Sequence, residues 1–189
     1  MAVVVMKSII IRTILRGVIV SAMLVMQAVP AWAIDGVAVE VGQDRQTDMA
    51  RLAVQWQWSK RWLQGQSWHV GGHWDLSVAQ WQRDQTVPGE RTQITEIGLT
   101  PVFRLQGNES RGLYLEGGIG AHLLSATQLG NKRFSTAFQF GDHLGFGYRF
   151  GARGEMDVSY RYQHLSNADI KKPNDGINAH QLRLHYWFR

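Results

Sequence analysis

The sequence predicts an all-β chain that closes into an eight-stranded antiparallel transmembrane β-barrel, on three observations. An export signal opens the chain, and behind it come segments of alternating polarity divided by Gly, Asn and Asp. The faces produced by that alternation are apolar on one side and rich in Gln, His, Asp, Arg and Gly on the other. A soluble barrel keeps its apolar side chains inside. An interior of amides and charges turns the apolar face outward, and an even count of strands near ten residues long fits the small barrels of outer membranes.

Residues 1–33 carry Lys7, Arg12 and Arg16, then an apolar run from Val18 to Met26, then Ala31-Trp32-Ala33. A basic start, a short apolar stretch and an A-x-A site make a secretory signal peptide. The run is well short of the ~20 residues that cross a bilayer as a helix, so the mature domain is expected at 34–189. Loss of the three basic residues lowers the formal charge from +5 to +2. The high pI is thus largely a property of the signal, and a near-neutral domain without basic runs argues against a nucleic-acid partner. With no cysteine, the exported domain has neither disulfides nor a thiolate metal site, and no lipoprotein anchor follows the signal.

Strands are expected at 36–43, 50–60, 66–81, 91–105, 112–121, 137–150, 154–166 and 178–188. In the second, Leu52, Val54, Trp56 and Trp58 oppose Ala53, Gln55 and Gln57. In the third, Trp68, Val70, Trp74, Leu76 and Val78 oppose His69, His73, Asp75 and Ser77. The sixth sets Phe138, Phe140, Leu144, Phe146, Tyr148 and Phe150 against Gln139, His143, Arg149 and glycines. Connections 61–65, 106–111 and 151–153 are short, whereas 82–90, 122–136 and 167–177 are longer and polar. Short turns lie on the periplasmic side of outer-membrane barrels and long loops outside, which puts both termini in the periplasm. Two residues break the pattern: Pro101 lacks a ladder N–H, and Trp81 falls on the polar parity. His69, His73 and His143 share the interior parity on separate strands, which suits interior hydrogen bonding better than a metal site, and Glu116-Gly-Gly-Ile-Gly120 lies in a strand where glycines permit close packing.

The candidate chemistry lies in the stretch from Arg161 to Asn178. Residues two apart on a strand share a face and lie about 6.6 Å apart, so His164 and Ser166 are a possible base and nucleophile. Their parity is that of Met156, Val158, Tyr160 and Tyr162, which points them out of the barrel, and a polar pair aimed at lipid suits a lipid substrate. On the last strand Asn178 shares parity with Leu182 and Leu184, and neighbouring strands about 4.8 Å apart let it reach His164. Asp142 has outward parity on the sixth strand. With a tight turn at 151–153 it falls almost opposite Tyr162 and diagonal to His164, a rival acid. Asn167 and Asn174 could present amide donors to the oxyanion of acyl transfer; turn chemistry is the plainer reading of Asn174-Asp175-Gly176, as it is of Asp169.

His164-Leu-Ser166-Asn167-Ala168 followed by Pro173-Asn174-Asp175-Gly176 resembles the active-site segment of the lipid A 3-O-deacylases, PagL-like outer-membrane esterases. The likeness extends more loosely over Gln55–Lys60 with Trp62, and over Glu116–Gly120. It implies hydrolysis of the 3-linked acyl ester of lipid A, with lipopolysaccharide as substrate, Ser166 as nucleophile, His164 as base and no metal or organic cofactor. The family's third member, a Glu, falls on Asn178, which can orient the imidazole but brings no charge; replacing the acid of a serine triad costs up to ~10⁴ in rate. The resemblance favours an asparagine in the oxyanion role. Two other functions fit the same barrel: a non-catalytic one that binds lipopolysaccharide or a surface partner, and an acyltransferase passing the chain to another lipid. A homodimer is compatible with each.

Overall fold

The computed structural model describes residues 34–84 and 87–188; the signal peptide expected at 1–33 lies outside them. The regular elements among the described residues are β1 (Gly36–Asp44), β2 (Thr47–Gln57), β3 (Trp68–Arg83), β4 (Gln93–Gly107), β5 (Gly112–Leu124), the two-residue pieces β6 (Gln128–Leu129) and β7 (Lys132–Arg133), then β8 (Phe138–Phe150), β9 (Met156–Ser166) and β10 (Ile177–Trp187). Eight of them form a closed antiparallel barrel in the order β1-β10-β9-β8-β5-β4-β3-β2, and β6 and β7 pair as a small hairpin within the connection from β5 to β8. Closure gives every long strand two neighbours, so no strand edge meets lipid.

The faces are inverted as the alternation predicts. Leu76, Ile97, Leu115, Leu144, Phe146, Leu182 and Leu184 stand on the outer wall, while Glu40, Arg51, Asp75, Glu96, Arg104, Glu116, Asp157, Arg161 and Arg183 are buried in the lumen. Those lumen charges interlock. Arg51 pairs with Glu40 at 2.7 Å and Glu96 at 3.1 Å, and Arg104 with Glu116 and Asp157 at 2.9 Å each. Arg183 reaches Glu40 at 3.2 Å and also pairs with Asp75, and Arg161 pairs with Glu116. In a medium of low dielectric such charges persist only when paired and hydrogen-bonded. The middle of the barrel is therefore filled by side chains, which is what this strand number accommodates.

One end of the lumen departs from that pattern. Met49, Ala79, Trp81, Ile94, Leu124, Leu165, Ile177 and Ala179 converge with Leu129 and Phe134 from the β5–β8 connection into a buried apolar cluster. Trp81 is thus no exception to the inward parity: it is wholly buried, and its indole N–H donates to Glu96 at the boundary between apolar cap and charged network. Pro101 is accommodated beside a break in the β4–β5 pairing between Leu99↔Ala121 and Val102↔Gly118. A Cβ on Gly118 would come within 2.5 Å of the Pro101 carbonyl oxygen, so the glycine-rich segment allows close packing there.

Two connections near the chain's first strands differ from expectation. The turn after β1 is the tightest, with Arg45 and Gln46 alone between strands. The connection 58–67 is longer than expected and folds back through the Trp62↔Val70 bridge. There Trp58 packs edge-on against Trp62, Trp74 and Phe103 at 5.5, 6.0 and 4.9 Å between ring centroids, an aromatic patch of the kind that sits at membrane interfaces. It lies at the end of the barrel that holds both termini. The opposite end carries 45–46, 84, 87–92, 125–137 and 167–176.

Candidate active site

The site lies where β8, β9 and β10 reach that loop-bearing end. Asn178 on β10 and Asp142 on β8 are both cross-strand partners of His164 on β9, so three polar side chains form one row on the outer wall. Such partners hold their Cβ atoms about 4.5–5.5 Å apart. The imidazole turns to β10: His164 Nδ1 and Asn178 Oδ1 are 2.7 Å apart. Asp142 stands directly opposite His164, where a tight turn had put it opposite Tyr162. The reason is the connection 151–155, which runs to five residues between Phe150 and Met156 and moves the register by two.

Ser166 is the last residue of β9, on the same face as His164 and partly covered. Its Oγ accepts a hydrogen bond from the Ala168 N–H at 3.5 Å. Directly after it the chain turns sharply. Ala168 and Asp169 both adopt left-handed φ angles, 53° and 60°, a conformation that costs non-glycine residues of order 1 kcal/mol or more and needs support from its surroundings. That support comes from Asn167, which is fully buried and donates both amide hydrogens, to the Phe134 and Lys171 carbonyls, each at 2.8 Å. The Asn167 backbone N–H donates to Asn174 Oδ1 at 3.1 Å, and Asn174 Nδ2 donates to Asp169 Oδ1 at 3.3 Å. The two asparagines expected beside the oxyanion are thereby tied to each other.

Two features absent from the sequence reading hold this arrangement. The β5–β8 connection straps the site loop: the Arg133 N–H donates to Asp175 Oδ2 at 2.7 Å, Ser135 Oγ to the Pro173 carbonyl at 2.7 Å, and Lys132 Nζ to the Gly176 carbonyl at 2.8 Å. Gly176, at φ +60°, lies against the imidazole, and a Cβ there would sit 3.0 Å from His164 Cε1. A glycine two residues before Asn178 was the available signal, though nothing in its spacing pointed at the ring.

A family model described as lipid A 3-O-deacylase (PagL) matches residues 48–187. The chain belongs to the lipid A 3-O-deacylase family. The PagL lipid A deacylase of Pseudomonas aeruginosa is 32% identical over 148 residues, 77% of this chain and 82% of that protein. The corresponding protein of Bordetella bronchiseptica is 38% identical over 130 residues, 65% of this chain and 69% of that one. A crystal structure of the outer membrane enzyme PagL superposes with a TM-score of 0.71 at 29% identity, covering 80% of this chain and 98% of that one. This PagL-family barrel is an outer-membrane protein, and the matched segment contains the whole row of Asp142, His164 and Asn178 together with Ser166.

Proposed function

We propose that this chain is a lipid A deacylase that hydrolyses the ester-linked acyl chain at position 3 of lipid A in the outer leaflet, by a serine-esterase mechanism. The observation that carries the reading is the 2.7 Å contact of His164 Nδ1 with Asn178 Oδ1, beside a serine on the same lipid-facing wall. An amide oxygen can only accept a hydrogen bond, so Nδ1 carries the ring hydrogen and Nε2 keeps its lone pair. His164 Nε2 takes the proton of Ser166 Oγ as the oxygen attacks the ester carbonyl, and returns it to the sugar oxygen as the carbon–oxygen bond breaks. The same nitrogen then takes a proton from the water that attacks the acyl-enzyme, and returns it to Ser166 Oγ as the bond to the fatty acid breaks. Asn178 fixes tautomer and orientation without the negative charge a carboxylate would add.

The oxyanion of each tetrahedral intermediate falls to the Ala168 N–H, already beside Ser166 Oγ, and to the amide group of Asn174. Asn167, with both its amide hydrogens on main-chain carbonyls, holds the turn that aims the Ala168 N–H. These steps call for no metal or organic cofactor. The test is incubation of the refolded protein with lipid A, followed by mass spectrometry of both lipid and released product. Loss of one hydroxyacyl chain, with free hydroxy fatty acid released, is expected from the wild type and not from Ser166→Ala. Equal loss with both proteins removes Ser166 from the mechanism, and transfer of the chain to another lipid makes the protein an acyltransferase.

A further inference from the structure

The mouth of the barrel at the end that holds both termini encloses a polar cavity of about 170 Å³, with Arg61, His69, Gly71, His73, Arg104 and Arg149 in its walls. A single water needs only about 10–15 Å³, so there is room for a small ligand with part of its hydration. The cavity has its origin in the strand register. His69, Gly71 and His73 alternate on the inward face of β3, and Gly71 is the cross-strand partner of Arg104 on β4. The guanidinium therefore stands opposite a position with no side chain. A Cβ on Gly71 would meet Gln106 Nε2 and the His69 ring at ordinary van der Waals distances of 3.4 and 3.5 Å, so close packing does not require glycine there.

The nitrogens left over in these walls can act as donors. Arg104 gives its Nε hydrogen to Glu116 and an Nη1 hydrogen to Asp157, each at 2.9 Å. Asp157 also accepts from Tyr114 Oη and from the Trp187 indole. His69 is engaged on both sides, Nδ1 with Asn108 Oδ1 at 2.9 Å and Nε2 with Gln106 Nε2 at 3.1 Å. Arg104 Nη2 and His73 Nε2, on side chains almost wholly buried, have no hydrogen-bond partner among the described residues. A buried polar atom without a partner bears its full desolvation cost, and such atoms call for a bound water or ion. The charge of the walls favours an anion: three guanidiniums face a single carboxylate among the described lining residues, Glu109, which is exposed at the rim. The planar fork of a guanidinium suits the oxygens of a phosphate group.

The geometry points to this mouth as an oxyanion site, in which a phosphate group is received by Arg104 Nη2 and His73 Nε2 in the space opposite Gly71, with Arg61 at the entrance. Free phosphate and the headgroup of an anionic lipid carry the same chemistry. The test is calorimetric titration of the refolded protein, in phosphate-free detergent, with inorganic phosphate and separately with dioctanoyl phosphatidic acid. Saturable binding of one phosphate group per chain is expected, and the probe that binds names the source. His73→Leu weakens it about tenfold or more, the worth of a hydrogen bond to a charged group. Gly71→Leu, which fills the space beside Arg104 without removing a charge, abolishes it. The mobility shift between folded and unfolded protein on gels shows that each variant has folded. Lack of saturable binding of either probe overturns the site, as does binding that survives in folded Gly71→Leu. Should Gly71→Leu fail to fold, binding left unchanged by His73→Leu overturns it equally.

Discussion

In the proposed mechanism an amide at position 178 orients the imidazole where the family resemblance puts a carboxylate, and the cross-strand geometry makes the difference measurable. Asn178 Oδ1 already sits 2.7 Å from His164 Nδ1, so Asn178→Asp changes the charge and little else. A charged acceptor adds about 1–2 kcal/mol over a neutral one, and the lipid-facing setting enlarges its effect on an imidazolium. Deacylation by Asn178→Asp is expected to be about tenfold faster, and by Asn178→Ala about 10²- to 10⁴-fold slower. Asp142 lies directly across from the same imidazole, but the hydrogen bond is made to β10, so the proposed mechanism gives Asp142 the lesser part: Asp142→Asn is expected to alter the rate by less than about threefold by the same conversion. Rates of the three variants beside the wild type check this. A collapse with Asp142→Asn and indifference to Asn178→Ala would transfer the acid's role to β8.

The strand carrying the proposed site is held from behind. Leu165 lies between His164 and Ser166 in sequence, yet points inward, and with its partner Ile177 it joins the apolar cap under the site loop. Leu165→Ala removes buried methyl groups at a point where the closed barrel cannot collapse, so it costs about 2–5 kcal/mol of stability. A lower midpoint for the shift between folded and unfolded mobility on gels, with a parallel loss of deacylation, is the expected result. The strands themselves were legible because period-two alternation leaves its mark in every long segment, and the outward parity of His164, Ser166 and Asn178 followed from it. The cap was not legible. Trp81 reads as an error of parity until Leu129 and Phe134 arrive from a distant connection to cover it. The neighbour of His164 on β8 was misread for a related reason: the register across β8 and β9 is set by the length of the connection 151–155, which alternation does not reveal.

Taken as a whole, the barrel is a sealed plug with a working exterior. The ion pairs of Arg51, Arg104, Arg161 and Arg183 with Glu40, Asp75, Glu96, Glu116 and Asp157 occupy its middle, and the apolar cap closes one end. Purified protein in planar bilayers is accordingly expected to give no large, stable single-channel currents, and porin-like steps would overturn the packed lumen. In the proposed mechanism Ser166 and His164 act from the wall and not from a cleft, so encounter with substrate takes place in two dimensions. The quantity that sets the rate is the mole fraction of lipid A among the lipids around the barrel, not its concentration in the surrounding water. Added detergent or phospholipid slows such a reaction by surface dilution at constant bulk substrate, so an enzyme of this geometry answers to the composition of the leaflet it inhabits.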